Sequence, residues 1–337
     1  MPIPELSIII CHHAGSLILR CLKSLETAKG NFECIIVTSM REFSYQGTGI
    51  TLIYEQGGPA HKRNVGAKIA RGKYLIFLDD DVSLHEDCLV NLQEFLERNP
   101  KAGMLFCKIY KMQEGRRNEL DDAGSLISWT GFLFARSGDN QQDIGQYNEA
   151  AKILGSKSAT CAIRKDLFNS INGFSEEYEI LAEDTEIAWR VWLMDFEVWY
   201  VPSAISWHAF GCESLKPKAT YYTLSRIFYL GSRNYLMMLL THLPLERMLY
   251  TIPVHIMAWL ISSLGFAVKG KFRCSLLILK GLLDAIIRIP KIMKKVIYIK
   301  RTKKVSGRSF LKSITHNPSM NYYLDRILRY WRQSLHG

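Results

Sequence analysis

The stretch YLIFLDDDVSL (Tyr74 to Leu84) closes an apolar run with three adjacent carboxylates, Asp79, Asp80 and Asp81. Three such charges repel one another, and a hard divalent cation such as Mg²⁺ or Mn²⁺ would neutralise them, taking oxygen ligands and leaving positions open for a phosphate. The competing reading is an acidic turn in which Asp80 or Asp81 caps a helix beginning near Val82. Just upstream, HKRNVG offers a charged fork at Arg63, an amide at Asn64 and room for close backbone approach at Gly66, a set suited to a nucleotide or phosphate. The same residues could equally form the solvated basic face of an amphipathic helix. A third set lies in AEDTEIAWR: on a helix, Glu183 and Glu186 share a face and Asp184 points elsewhere. A carboxylate in a cleft with a raised pKa could serve as general base, although acidity at a helix N-terminus is also favoured by the helix dipole. His208 could complete a metal site as a neutral imidazole or simply pack beside Trp207. His12 and His13 follow the first apolar run and could touch a base or ribose.

These residues need elements to hold them. From Leu6 to about Ser83 short β-rich runs (LSIII, FECIIVT, ITLIY, KYLIFLD) alternate with amphipathic segments (LILRCLKSLETA, AHKRNVGAKIA). That order predicts an α/β domain with a doubly wound, mostly parallel sheet. Ligands of such sheets collect at the C-terminal strand ends, where the Asp triplet falls. A helix is expected over Leu89 to Arg98, a strand in GMLFCKIYKM, a long loop layer from Asn118 to about Leu154, a helix in EDTEIAWRVWLM and a strand in EVWYVP.

Charge divides the 337 residues into two parts. Residues 1–212 carry a net −7 and residues 213–337 a net +18, summing to +11. We therefore expect two parts with different jobs, an α/β domain over 1–212 followed by a basic, amphipathic helical region over 213–337. The eight cysteines show no CxxC pair and no metal-ligand spacing, which points to reduced core thiols and a cytosolic environment. The N-terminus, MPIPELSIII, lacks the basic leader and cleavage pattern of a signal peptide.

Met248 to Val268 is 21 residues without Asp, Glu, Lys or Arg, long enough to span a bilayer. Basic segments flank it on both sides, which a single span cannot satisfy under the positive-inside rule. The next helix, CSLLILKGLLDAIIR, carries Lys280, Asp284 and Arg288 as one polar stripe on an apolar cylinder. The expectation is monotopic attachment to the anionic cytoplasmic face of a membrane rather than a span. Nucleic acid is a poor partner for this tail, because its charges are interleaved with long aliphatic runs.

Taken in order, LSIIICHHAGSLILRCLKSL, KRNVGAKIARGKYLIFLDDDV and SATCAIRKDLFNSINGFSEEYEILAEDTEIAWRVWLMDFEVWYVPSAISWHAFG resemble a family 2 glycosyltransferase of the glycosyltransferase A fold, in its rhamnosyltransferase-like branch. The likeness covers roughly residues 5 to 240, since RIFYLGSRNYLMMLL is similar to the segment that follows the catalytic domain in that branch. It implies a catalytic domain over 1–212, with a nucleotide-sugar-binding half at 1–110 and an acceptor-binding half at 111–212, a nucleotide-diphosphate sugar donor, a glycan or lipid-linked acceptor, and Mn²⁺ or Mg²⁺. Asp79 and Asp81 match the Asp-X-Asp pair that holds the metal and the donor diphosphate, with Asp80 in the variable place. Arg63, Asn64 and Gly66 match the nucleotide side, and Asn172, Gly173 and Phe174 the acceptor loop. Glu183 and Asp184 match the Glu-Asp pair whose Asp is the base, and His208 the histidine that reaches the metal.

The sequence departs from that pattern in two places. Thr38, Ser39 and Met40 stand where an acidic residue usually reads the base, and His12 and His13 where Tyr-Asn is usual. The donor's base is therefore left open. Two rival readings are a non-catalytic membrane adaptor with a degenerate fold and, from DDDVS, a haloacid dehalogenase-type phosphatase.

Overall fold

The computed structural model describes residues 3–13, 17–45, 47, 49–112, 118–137, 141–209, 221–302 and 304–319. Its strands are β1 Leu6–His12, β2 Phe32–Thr38, β3 Ile50–Tyr54, β4 Tyr74–Asp79, β5 Val82–Leu84, β6 Ala102–Lys111, β7 Leu120–Asp122, β8 Ser125–Ile127, β9 Leu133–Ala135, β10 Ala151–Lys152, β11 Thr160–Arg164 and β12 Glu197–His208. The helices among them are α1 Leu17–Glu26, α2 Pro59–Ile69, α3 Cys88–Arg98, α4 Lys165–Ser170 and α5 Glu183–Leu193.

β1 (LSIIICH) is buried at every position, as a strand covered on both faces must be. It sits inside a ten-stranded sheet ordered β10-β12-β6-β11-β4-β1-β2-β3, with β5 on β12 and β7 on β6. β1, β2, β3, β4, β6 and β12 run the same way, while β11 is antiparallel to both β4 and β6. The expected α/β class with a mixed, mostly parallel sheet and flanking helices is therefore what the chain forms. α1 covers one face with Ile18, Cys21, Leu22 and Leu25, the spacing of a helix stripe.

Three local expectations are corrected. No helix begins at Val82, because β5 pairs there with β12 and α3 starts only at Cys88, so the Asp triplet caps nothing. The expected loop layer of 118–154 contains β7 to β10, strands of two or three residues too short to show a period. The strand at EVWYVP runs on to His208, twelve residues in all.

The chain divides into two compact units. One comprises Met1–Ser125, Ala135–Leu215 and Thr302–Ser306; the other comprises Leu126–Phe134, Lys216–Arg301 and Gly307–Gly337. The expected boundary at 212/213 lies outside the described residues, as does Cys212. The seven described cysteines are buried and free.

The second unit is built from α6 Tyr221–His242, α7 Leu245–Val268, α8 Phe272–Thr302 and α9 Gly307–Ile314. The segment 126–134 belongs to it because its carbonyls satisfy buried side chains there. Arg247 donates to Ser128 O at 2.9 Å, His255 Nε2 is 3.0 Å from Thr130 O, and Tyr235 Oη donates to Gly131 O at 2.6 Å. On α8 the polar stripe is only partly covered, with Lys280 exposed and Asp284 and Arg288 half-buried. Asp284 accepts the Tyr229 hydroxyl at 2.7 Å and the Lys280 ammonium lies 5.7 Å from that ring's centre. α8 also exposes apolar side chains, with Leu276 64%, Leu283 58% and Ile287 63% exposed. α7 likewise exposes Leu249, Ile261, Leu264 and Val268. By length and apolar composition alone, α7 is long enough to cross a membrane.

Candidate functional site

The strand register assembles the acidic cluster. β4 ends at Asp79, and β5 pairs with β12 so that Val82 faces His208. The Ala209 N–H donates to Asp81 O at 3.0 Å, which holds the two strand ends together. His208 Nε2 thereby lies 3.3 Å from Asp81 Oδ1. Asp79, Asp81 and His208 each offer one ligand atom, all within 4.8 Å of one another. Two carboxylates and an imidazole form a donor set that suits Mn²⁺ and, through the oxygens, Mg²⁺.

His208 is buried, and its Nδ1 lies 2.9 Å from Asp121 Oδ2. Burial works against a charged ring, but the hydrogen bonds to Asp121 and Asp81 outweigh it and lift the His208 pKa to about 10. Burial likewise pushes Asp121 up, yet the His208 bond and the charge of Lys157 hold it down at about 2. A divalent cation on Nε2 would need the neutral ring, so its binding would release any proton held there. Asp121 carried no sequence signal beyond an acidic pair in a short strand.

Asp80, expected to be the variable member, has a partner of its own. Its Oδ2 accepts the His13 N–H at 2.9 Å, tying the end of β1 to the end of β4. Burial, with Asp81 and Asp79 adding to it, lifts the Asp80 carboxyl to about 6.

Of the residues assigned to the nucleotide side, Arg63, Gly66 and His12 are buried and Asn64 is half-buried. Arg63 is 2% exposed and bridges two carboxylates, donating to Asp79 Oδ1 at 2.9 Å and Glu183 Oε1 at 3.2 Å. Its guanidinium also lies 5.2 Å from the centre of the Phe174 ring. Asn64 binds the loop assigned to the acceptor side: its Oδ1 accepts the Phe174 N–H at 2.8 Å while its Nδ2 donates to Phe174 O and to Glu176. Gly66 allows close approach, but to the sheet, since a Cβ there would sit 2.5 Å from Ile9 Cγ2. His12 is buried too, its Nδ1 2.9 Å from Thr38 Oγ1 and its ring against Phe43. Lys62, fully buried beneath it, donates to His12 O and Ser39 Oγ, both at 2.7 Å.

The acceptor-side residues divide in the same way. Phe174 is core, packed on Phe77 and Phe168, whereas Asn172 is exposed with a left-handed φ of 59°. Gly173 (φ 61°) makes the turn between them, where a Cβ would meet Asn64 Oδ1 at 2.5 Å. Glu183 is buried, and burial together with Asp184 raises its pKa to about 7. Asp184 is half-buried, its Oδ1 accepting the Thr185 N–H at 2.6 Å and its Oδ2 the Ser158 N–H at 3.3 Å. Burial raises the Asp184 pKa against those bonds and the charge of Arg63. Leading into this pair, Glu179, Leu181 and Ala182 hold positive φ of 61°, 73° and 69°, a run of unfavourable backbone beside the candidate base.

Residues 7–169 match Glycosyl transferase family 2. The O-antigen biosynthesis protein RfbC of Myxococcus xanthus is 27% identical over 133 residues, which are 38% of this chain and 10% of that protein. An uncharacterized glycosyltransferase of Haemophilus influenzae is 28% identical over 179 residues, 48% of this chain and 54% of that protein. The chain thus spans about half or less of the length of these relatives. Among solved structures, GalNAc-T7 with UDP, GalNAc and Mn²⁺ superposes with a TM-score of 0.52 at 15% identity, covering 71% of this chain and 50% of that one. The sheet is that of the glycosyltransferase A fold, and residues 7–169 of the chain are similar to glycosyl transferase family 2.

Proposed function

We propose that the protein is an inverting glycosyltransferase that moves a sugar from a nucleotide-diphosphate donor to a hydroxyl of a glycan or lipid-linked acceptor. The observation that carries this reading is the convergence of Asp79, Asp81 and His208 within 4.8 Å at the C-terminal edge of the sheet, with Asp184 at the start of α5 bonded to the turn beside it. Asp79, Asp81 and His208 would hold Mn²⁺ or Mg²⁺. When bound, the cation supplies positive charge where the leaving diphosphate becomes more negative.

The protein's own residues do the rest. Asp184 accepts the proton of the acceptor hydroxyl as that oxygen attacks the anomeric carbon, and the bond from that carbon to the diphosphate oxygen breaks. One displacement inverts the anomeric centre. A base needs a carboxylate less acidic than one in water, the direction in which burial moves Asp184. Arg63 holds Asp79 and Glu183 on one guanidinium, so the metal side and the base side share a rigid support. A phosphatase reading would need Asp79 free as a nucleophile, whereas its Oδ1 already accepts from Arg63, which favours transfer.

The second unit gives the chain a surface partner. Its outward apolar side chains on α7 and α8, with Lys269, Lys271 and Arg273 between them, suit monotopic attachment to the anionic cytoplasmic face of a membrane, where a lipid-linked acceptor would be met.

A panel of nucleotide-diphosphate sugars, each with Mn²⁺ or Mg²⁺, tests the reaction. At least one donor should raise the unfolding temperature only when metal is present. Asp184→Asn should keep that rise and lose transfer by about 10²–10⁴-fold. If no donor gives a metal-dependent rise, the donor site is misassigned; if Asp184→Asn transfers normally, the base is.

A further inference from the structure

One buried carboxylate is not used by the proposed chemistry. Asp121 lies in β7 with its side chain 5% exposed, its Oδ2 2.9 Å from His208 Nδ1 and its Oδ1 2.6 Å from Lys157 Nζ. The neighbouring Asp122 accepts the Lys157 N–H at 3.1 Å and the Gly124 N–H at 2.6 Å. β7 therefore grips the 156–158 turn with both acidic side chains, and Asp121 is fixed from two sides. The opposite edge of the His208 ring points to Asp81, at 3.3 Å from Nε2.

We infer that Asp121 is a positioning residue for the candidate metal centre, holding His208 in the tautomer whose Nε2 lone pair faces Asp79 and Asp81. The reasoning is stereochemical. An ionised carboxylate only accepts hydrogen bonds, so the ring nitrogen beside it must carry a proton. A neutral imidazole has one N–H, so with Nδ1 protonated the lone pair is left on Nε2, the nitrogen on the side of the two carboxylates. Lys157 keeps Asp121 charged despite its burial, and a carboxylate behind an imidazole both fixes the ring plane and makes the ring a stronger donor. The inference rests on the reading that Asp79, Asp81 and His208 hold a divalent cation.

Mn²⁺ binding to the full chain, measured calorimetrically, provides the test. Asp121→Asn should weaken Mn²⁺ by about 10–100-fold, while binding of a nucleoside diphosphate without metal stays at the wild-type level. In a His208→Ala background the same change should cost nothing further, because Asp121 acts through that ring. An undiminished Mn²⁺ affinity in Asp121→Asn, or losses that add in the double variant, would overturn the inference and leave the metal centre standing. A wild-type chain that binds no Mn²⁺ would overturn both. Should Asp121→Asn fail to fold, long-range ¹H–¹⁵N spectra of the Mg²⁺-loaded wild type decide the matter, with the His208 signal assigned by its loss in His208→Ala. A proton on Nδ1 is expected, and a proton on Nε2 would refute the proposal.

Discussion

Asp80 shows how far a single residue can differ from its sequence neighbours. It lies between two candidate ligands, yet it bonds the His13 N–H and holds its proton up to about pH 6. A raised acid binds its proton more tightly folded than unfolded, so the stability linked to Asp80 is greatest below about pH 4 and declines as pH climbs through 6. Asp80→Asn keeps an oxygen for His13 and removes that decline. It should stabilise the metal-free protein by about 1 kcal/mol at pH 7.5 and by almost nothing at pH 4, read as unfolding temperature in the presence of chelator. Added Mn²⁺ should narrow the gap, since a cation relieves the same repulsion. Lower stability of Asp80→Asn at pH 7.5 would mean that burial and like charge do not set this group. Residue types were legible here and partners were not. Nothing in DDDVS distinguishes the carboxylate that faces His13 from the one that faces His208, because β5 pairing with β12 makes that choice.

At the scale of elements, α2 is the instructive case. Its existence was evident from AHKRNVGAKIA, but its buried side carries Lys62 and Arg63 along with Ala60, Gly66 and Ala67. A period search for apolar residues assigns such a face to solvent, so the choice between a basic surface and a ligand site missed a third outcome, cations buried on protein acceptors. The glycine in that face is a packing device. In Gly66→Ala the new methyl would sit 2.5 Å from Ile9 Cγ2 and 3.3 Å from Val37 Cγ2, against two central strands with little room to move. We expect a loss of about 1–3 kcal/mol, seen as a lower denaturation midpoint with an unchanged m-value. A neutral result would show that α2 can lift from the sheet. Strands long enough to be buried on both faces, such as β1 and β4, were legible for the same physical reason that β7 to β10 were not: two or three residues carry no period.

At the scale of the whole molecule, the split of charge between the two parts of the sequence was legible, and so was the apolar run that became α7. The pairing of Asp284 on α8 with the Tyr229 hydroxyl was not, nor was the exposure of that helix's leucines and isoleucines. A helix pair that is apolar outward is expected to float with vesicles of anionic phospholipid. Leu249→Asp with Leu283→Asp should reduce that flotation at least tenfold, at about 2 kcal/mol or more per buried leucine replaced by a charge. Retained flotation would place the lipid contact elsewhere. The pairing of β5 with β12 also has a temporal side. While the chain is being made, Asp79 and Asp81 leave the ribosome long before His208, and the last strand of the sheet must add itself beside β6 before the third candidate ligand is in place. Until then Asp79 and Asp81 lack the imidazole, so on the proposed reading metal uptake would mark the moment at which this sheet is complete.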